Sequence, residues 1–355
     1  VEGNATLIDV ARVAGVSLAT ASRAINGSAR TVGAELREKV LRAAQELDYS
    51  PNAAARTMKR GHADVVGMIV PDIADPYFAG IASGVMKAAD EQGLMVSIAS
   101  TRRQVSREAE YVAGFRRQRN RAVILAGSRT SSRAETECLK VEVDRFEAQG
   151  GRVAVVSQRK LPVDTVVVEN RQGARALAAD LADLGYRDFA VLAGPRDLLS
   201  AKDRLDGFRT GLAEAGVELD RERIVNGEFS RDGGFQAMER VLEQLDGIDC
   251  VFAVNDVMAL GAIAAVRSRG LDVPRHLSVA GFGDISTLRD MSPRLTTVRV
   301  DLERLGRLAL EMVLSNDSGA PRTRREKCQV VLGASTPGRK TAGRKTAGRR
   351  SSARG

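Results

Sequence analysis

The chain has 355 residues, of which 43% are hydrophobic and 28% charged, and its formal net charge is +9 at pH 7. This apolar content serves two or three folded domains of about 100–200 residues each and excludes a disordered or collagen-like chain. No run of about 18 apolar residues occurs, and the first residues carry neither a basic patch nor an apolar stretch, so we expect a cytoplasmic protein with no membrane span or secretory leader.

The first 60 residues read as small helices. Thr6 and Asp9 make a capping-box start for a helix through Ala14, Gly15 supplies a tight turn, and Ser17 caps a second short helix to Ile25, before Asn26-Gly27. That is helix-turn-helix geometry. A third helix over 34–47 presents Leu36, Val40, Leu41, Ala44 and Leu47 on one face, closing a miniature core. Ser50-Pro51 breaks it, and the Ala-rich stretch 52–59 is too short to be a stable helix alone. It is expected to fold when it binds.

From Asp64 to about Thr336 short apolar runs alternate with amphipathic stretches. The runs 65–70, 95–99, 122–125, 153–156, 165–168, 189–192, 250–254 and 278–280 have strand length and β-branched content. Helix-length segments lie between them, several stopped by glycine: 77–92 by Gly93, 136–149 by Gly150, 173–184 by Gly185, 203–215 by Gly216 and 257–269 by Gly270. Repeated βα units make doubly wound parallel sheets, and this length favours two lobes with a cleft. Ligands of such sheets bind outside the carboxyl ends of the strands. Here those ends are polar: Pro71-Asp72, Ser100-Thr101, Gly127-Ser128, Ser157-Gln158, Glu169-Asn170, Asn255-Asp256 and Gly283-Asp284. Each alone is a common solvated turn or helix cap; as a set they describe a polar small-molecule cleft.

The charge is terminal. Residues 1–62 hold 9 basic against 6 acidic residues and residues 338–355 hold 7 basic and none acidic, whereas the 275 residues between carry 38 against 39. Basic ends on a near-neutral body point to a polyanion as the partner of the ends. The tail repeats GRKTA at 338–342 and 343–347, has no apolar periodicity, and is expected to be disordered. Gly338 and Gly343 have phosphate-loop spacing, but Arg344 stands where that motif needs lysine. Cys138, Cys250 and Cys328 are far apart and form no metal-ligand spacing with His62 or His276. No metal or cofactor is expected. With no nucleophile elbow, metal constellation or dinucleotide fingerprint, catalysis has no residues to assign.

The segments TLIDVARVAGVSLATASRAINGS (6–28), LREKVLRAAQELDYSPNAAAR (36–56), VVGMIVPDIADPYFAGI (65–81), AVND.MALG (253–261) and PRLTTV (293–298) together resemble the LacI/GalR family of bacterial transcriptional regulators. The resemblance implies a multi-domain chain: an all-α helix-turn-helix DNA-binding domain (1–50), a hinge helix and linker (51–62), and a two-lobed α/β body of the type I periplasmic-binding-protein kind with parallel sheets (63–337), before the basic tail (338–355). It places the first lobe at about 63–164 and 297–323 and the second at about 165–296 and 324–337. It further implies a homodimeric repressor, nucleoid-associated, on a palindromic double-stranded DNA operator, controlled by a small effector such as a sugar.

By the same resemblance Leu18, Ala19 and Arg23 face base edges, Thr20 and Ser22 face phosphates, and Thr6, Ser17 and Asn26 complete the DNA-facing set. Arginine can bridge guanine O6 and N7, discriminating by about 1–3 kcal/mol, whereas Leu18 and Ala19 offer apolar contact, as to a thymine methyl. In the hinge, Asn52, Ala55 and Lys59 fall at minor-groove and backbone positions. Met58 stands where the family has a leucine wedge, and keeps the apolar character of such wedges. In the cleft the resemblance carries Arg204, Asn255, Tyr77, Phe78 and Phe282, and the strand ends add Asp72 and Ser128. The family's aspartate after Gly-Tyr is Gly283 here, so either Asp284 takes over or the ligand lacks the hydroxyl pair that aspartate would bind. The tail lacks the leucine heptads of tetrameric relatives; it is a non-specific DNA-binding arm or a solubilising extension. Two other classes compete: a transporter's solute-binding protein, which the helix-turn-helix opposes, and a nucleoid-type DNA binder with no effector and no palindromic preference.

Overall fold

A computed structural model describes residues 5–26, 32–50, 57–58, 61–244, 247–315 and 319–339. The chain divides into two compact units, residues 1–63 and 64–355.

The first unit holds α1 (Leu7–Val13), α2 (Leu18–Asn26) and α3 (Ala34–Glu46). Its caps are those the residues imply. Thr6 Oγ1 accepts from Asp9 N–H at 3.4 Å while the Asp9 carboxylate accepts from Thr6 N–H at 3.0 Å, closing a capping box that holds Asp9 below the usual carboxylate range. Gly15 turns the chain at φ 62°, and Ser17 Oγ accepts from Thr20 N–H at 3.1 Å at the start of α2. The core is Val10, Ala11, Ala14, Ala21, Ala24, Val40 and Ala43, with Ala44 and Leu47 partly buried against it. Leu36 and Leu41, expected inside, are 45% and 43% exposed. Val40 and Ala43, three apart on α3, fill the small space between the helices, and Leu41, about 100° round the helix from Val40, points past it.

The second unit is two α/β lobes. A six-stranded sheet has the order β11-β5-β4-β3-β1-β2, from β1 (Ala63–Val70), β2 (Met95–Ser100), β3 (Asn120–Ala126), β4 (Arg152–Val156), β5 (Asp164–Val168) and β11 (Thr323–Glu326). Side chains alternate across it. Ile69, Val123, Leu125, Val153 and Val155 meet α5 (Arg107–Arg117) and α6 (Arg133–Glu147) on one face; Met68, Val70, Ile124 and Val156 meet α4 (Pro76–Asp90) and α11 (Leu302–Leu314) on the other. A four-stranded parallel sheet of order β7-β6-β8-β9 builds the second lobe from β6 (Phe189–Ala193), β7 (Ile224–Asn226), β8 (Cys250–Ala253) and β9 (Ser278–Ala280), with α7 (Asn170–Asp183), α8 (Leu199–Glu214), α9 (Arg231–Gln244) and α10 (Asp256–Ser268). β10 (Thr297–Arg299) and β12 (Gln329–Val331) pair antiparallel beside it.

The crossings between lobes fall after Val168, Val300 and Glu326, each downstream of the expected 164, 297 and 324. β5 and β11 complete their hydrogen-bonded registers in the first sheet before the chain leaves it, and Thr296 and Arg299 still bridge to Ala280 and Gly283 in the second lobe. The expected tail also begins later. Arg339 N–H donates to Leu184 O at 2.8 Å, its guanidinium pairs with Asp249, and it lies 5.5 Å from the Tyr186 ring centroid, so residues 338–339 belong to the body. The rest of the tail lies outside the described residues.

Helices α4 and α11 touch backbone to backbone. A Cβ at Gly84 would overlap the Glu303 carbonyl, and one at Gly306 the Ile81 carbonyl. Gly84→Ala is expected to lower stability by about 1–3 kcal/mol through overpacking, measured by denaturant unfolding with Ala82→Gly as the opposite-sense control in the same helix.

Candidate functional site

On α2, Leu18, Ala19 and Arg23 are exposed and Ala21 and Ala24 buried. Residues 18, 19, 22 and 23 are related by three- and four-residue steps, so Leu18, Ala19, Ser22 and Arg23 share a face opposite the core. Ser22 on this face and Thr20 beside it are half-buried, and Thr20 Oγ1 lies 2.8 Å from Ser17 Oγ. Thr6 and Ser17 are exposed at helix starts, and Asn26 closes α2. Met58, expected as the wedge, is 78% exposed. Asn52, Ala55 and Lys59 lie outside the described residues.

The second unit encloses a cavity of about 440 Å³ at the carboxyl ends of both sheets. Of the expected residues, Tyr77, Phe78, Ser128, Arg204, Asn255 and Phe282 line it. Arg204 stands in the second turn of α8, 5% exposed. Its Nε donates to Asn170 Oδ1 and its Nη1 to Val254 O, both at 2.8 Å, and its guanidinium lies 4.0 Å from the Phe282 ring centroid and 6.0 Å from that of Tyr77. Burial pulls its pKa down, yet an arginine so placed stays charged. Asn255 caps α10, its Oδ1 accepting from Met258 N–H at 2.7 Å, which leaves its Nδ2 donors for a ligand.

Asp72 and Asp284 are not cavity residues. Asp72 turns its carboxylate to Ala74 N–H at 3.0 Å and to Arg103 at 3.3 Å; Asp75, one turn on, lines the wall instead. Asp75 caps α4 through Tyr77 N–H at 3.0 Å and meets Arg103 at 3.2 Å, and burial raises its pKa. The signal was in the sequence: Asp75-Pro76 is an N-cap followed by proline at the first helical position. Asp284, with φ 53°, swings away to Arg299 Nε at 2.6 Å. It does not take over from the missing aspartate.

The most deeply buried carboxylate in the wall is Asp256, 1% exposed. Its oxygens accept from Thr297 Oγ1 at 2.6 Å and Ile285 N–H at 3.1 Å, and burial, the largest influence, lifts its pKa to about 6. It also explains the glycine. Gly283 has φ 140°, and a Cβ there would sit 3.0 Å from Asp256 Oδ2, so a second carboxylate would face the first at contact distance. Glu108 and Arg129, which sequence spacing could not pair across 21 positions, form a bidentate ion pair beside the cavity at 2.6 and 2.7 Å. Among the described residues no cluster of His, Cys, Asp and Glu could hold a metal ion, and no helix is long and apolar enough to cross a membrane.

Comparison with known proteins agrees with the two units of the chain. Residues 6–52 match the model of bacterial regulatory proteins of the lacI family, and residues 178–336 that of the periplasmic binding protein-like domain. The HTH-type transcriptional regulator CelR of Thermobifida fusca is 34% identical over 324 residues, 88% of this chain and 92% of that protein. The lac repressor dimer bound to operator and the anti-inducer ONPF superposes with a TM-score of 0.81 at 26% identity, over 94% of this chain and all of that one. A CelR–cellobiose complex matches with a TM-score of 0.69 at 28% identity, over 93% and 99%. With a helix-turn-helix unit, a parallel two-lobed body and these relatives along nearly its whole length, the chain belongs to the lacI family of bacterial transcriptional regulators.

Proposed function

We propose that the chain is a repressor that reads a palindromic operator as a homodimer through α2 and is controlled by a neutral polar effector, a sugar or related metabolite, in the interlobe cleft. The observation that carries the effector half is Arg204: a buried guanidinium in a cavity wall, held by two neutral acceptors and stacked on an aromatic ring, is placed to bind ligand hydroxyls. The cellobiose in the CelR relative's structure supports the ligand class. For the dimer, support comes from β2, the end strand of the first sheet, which leaves Met95 72% exposed with Ile98 and, on α4, Met86 also exposed. Apolar side chains grouped on an edge strand and its neighbouring helix fit a second copy.

The experiment is selection and sequencing of DNA bound by the full chain at about 0.15 M salt, where non-specific binding is weakened. A form ending at Arg339, which keeps the anchored residue, runs beside it. One palindrome enriched by both forms supports the operator reader. No motif, with binding lost along with the tail, would replace it by a non-specific binder. On the selected site Arg23→Ala is expected to lower affinity about 5- to 100-fold and relax one base position, by fluorescence anisotropy at fixed salt. A uniform loss across all sequences would assign Arg23 to phosphate instead.

A further inference from the structure

Two loops of different lobes meet along one wall of the cavity. Residues 127–132 follow β3 of the first lobe, and residues 194–198 precede α8 of the second. Thr130 and Leu198 form an antiparallel bridge, in which Leu199 N–H donates to Arg129 O and Ser131 N–H to Asp197 O, each at 2.9 Å. A third donor, Ser200 N–H, reaches Ser128 Oγ at 3.0 Å. The lobes are thus joined by three hydrogen bonds at a place none of the covalent crossings passes. Ser128, Asp197, Leu198 and Ser200 also line the cavity, so the joint and the ligand's wall share residues.

The first loop is fixed to its own lobe by the Glu108–Arg129 pair, whose residues are 5% and 3% exposed. Arg129 N–H is further held by Ser157 Oγ at 3.1 Å and Gln158 Oε1 at 3.0 Å, while Arg129 Nε is buried without a partner. A pair this buried gives back in attraction about what it loses in hydration. Its consequence is geometric: it fixes the Arg129 carbonyl that receives Leu199 N–H.

We infer that these three bonds form a seam holding the lobes closed over the cavity, with Glu108 and Arg129 as its positioning residues, so that a ligand enters or leaves only when the seam parts. The inference rests on the cleft being the effector site for its ligand, though not for the seam itself. The sequence permits a clean cut. Leu199 is the first residue of α8, where proline is tolerated because that N–H makes no bond within the helix. Leu198, at φ −79° and ψ 118°, already has the extended conformation required before proline. Leu199→Pro therefore removes one bond between lobes and none from the helix, and Leu199→Ala is its control.

The test is amide hydrogen exchange on the full chain without ligand. In the wild type and Leu199→Ala, the amides of Ser131 and Ser200 are expected to be protected to a similar degree. In Leu199→Pro both exchange roughly three- to tenfold faster, the effect of about one hydrogen bond, while amides of β3 and β6 keep their rates. Glu108→Gln moves the same two amides in the same direction and again spares the strands, which a general loss of stability would not do. Unprotected Ser131 and Ser200 in the wild type, or rates unchanged by Leu199→Pro, would overturn the seam. Thermal-shift titration with cellobiose and other neutral saccharides reads the effector assignment separately: no binding to a protein with a protected seam removes the ligand and leaves the seam.

Discussion

Arg204→Ala is expected to abolish the effect of a cleft-bound ligand on operator binding at concentrations that just saturate the wild type, while leaving ligand-free operator affinity within about twofold. The guanidinium is buried, yet among the described residues no carboxylate lies within ion-pair distance of it; Asn170 Oδ1 and Val254 O satisfy part of its fork and Phe282 covers one face. A buried cation with neutral partners gains most from a ligand that brings acceptors, and truncating it is expected to cost ligand affinity on the order of 100-fold. Arg204→Lys should recover little, because an ammonium cannot reach Asn170, Val254 and a ligand from one planar fork. The measurement is anisotropy of a labelled operator titrated with the first compound that shifts wild-type binding. A full response in Arg204→Ala would move the effector out of this cavity.

Much of this was legible in the residues, for local reasons. The helix-turn-helix is written in side chains that act within a few positions of themselves: Thr6 with Asp9, Gly15 at its turn, Ser17 with Thr20. Eight strands announced themselves by apolar runs, including the short but fully buried β8 and β9. β7, β10, β11 and β12 did not, because each has only three or four residues and is not buried throughout, so no continuous apolar run marks it; β11 in particular reads Thr-Arg-Arg-Glu with an exposed face. In the cleft, the positions carried by resemblance line the cavity where a helix or strand end fixes them, as at Tyr77, Arg204 and Asn255. Asp72 and Asp284 failed because each sits in a turn whose hydrogen bonds re-aim the side chain. Glu108 and Arg129 could not be paired at all: each is a charged residue that sequence alone places on the surface, and only the packing of α5 against the loop after β3 buries them.

The pH dependence of stability should carry the mark of Asp256. Its pKa is 3.8 as a free side chain and about 6 in the folded protein, so between these values the native state holds a proton that the unfolded chain has released. Stability therefore falls as pH rises through that window. The penalty is complete above about pH 6 and amounts to about 3 kcal/mol, because each pH unit between the two values costs about 1.36 kcal/mol. Asp256→Asn fits the same space without titrating. Its Oδ1 can accept from Ile285 N–H while its Nδ2 donates to Thr297 Oγ1, a hydroxyl that can reverse its role. Wild type and variant are thus expected to be closest in midpoint near pH 4, with the variant gaining as pH approaches 7, measured by urea unfolding at matched ionic strength. Other carboxylates whose pKa desolvation raises, such as buried Asp75 and half-buried Asp203, move in the same direction but cancel in the difference. A gap that does not change with pH would mean that Asp256 ionises as freely in the fold as in water. The change reaches Thr297, which lies on the segment that returns the chain to the first lobe. Protonating Asp256 leaves that hydroxyl hydrogen-bonded to a neutral acid instead of a carboxylate, which is a weaker bond.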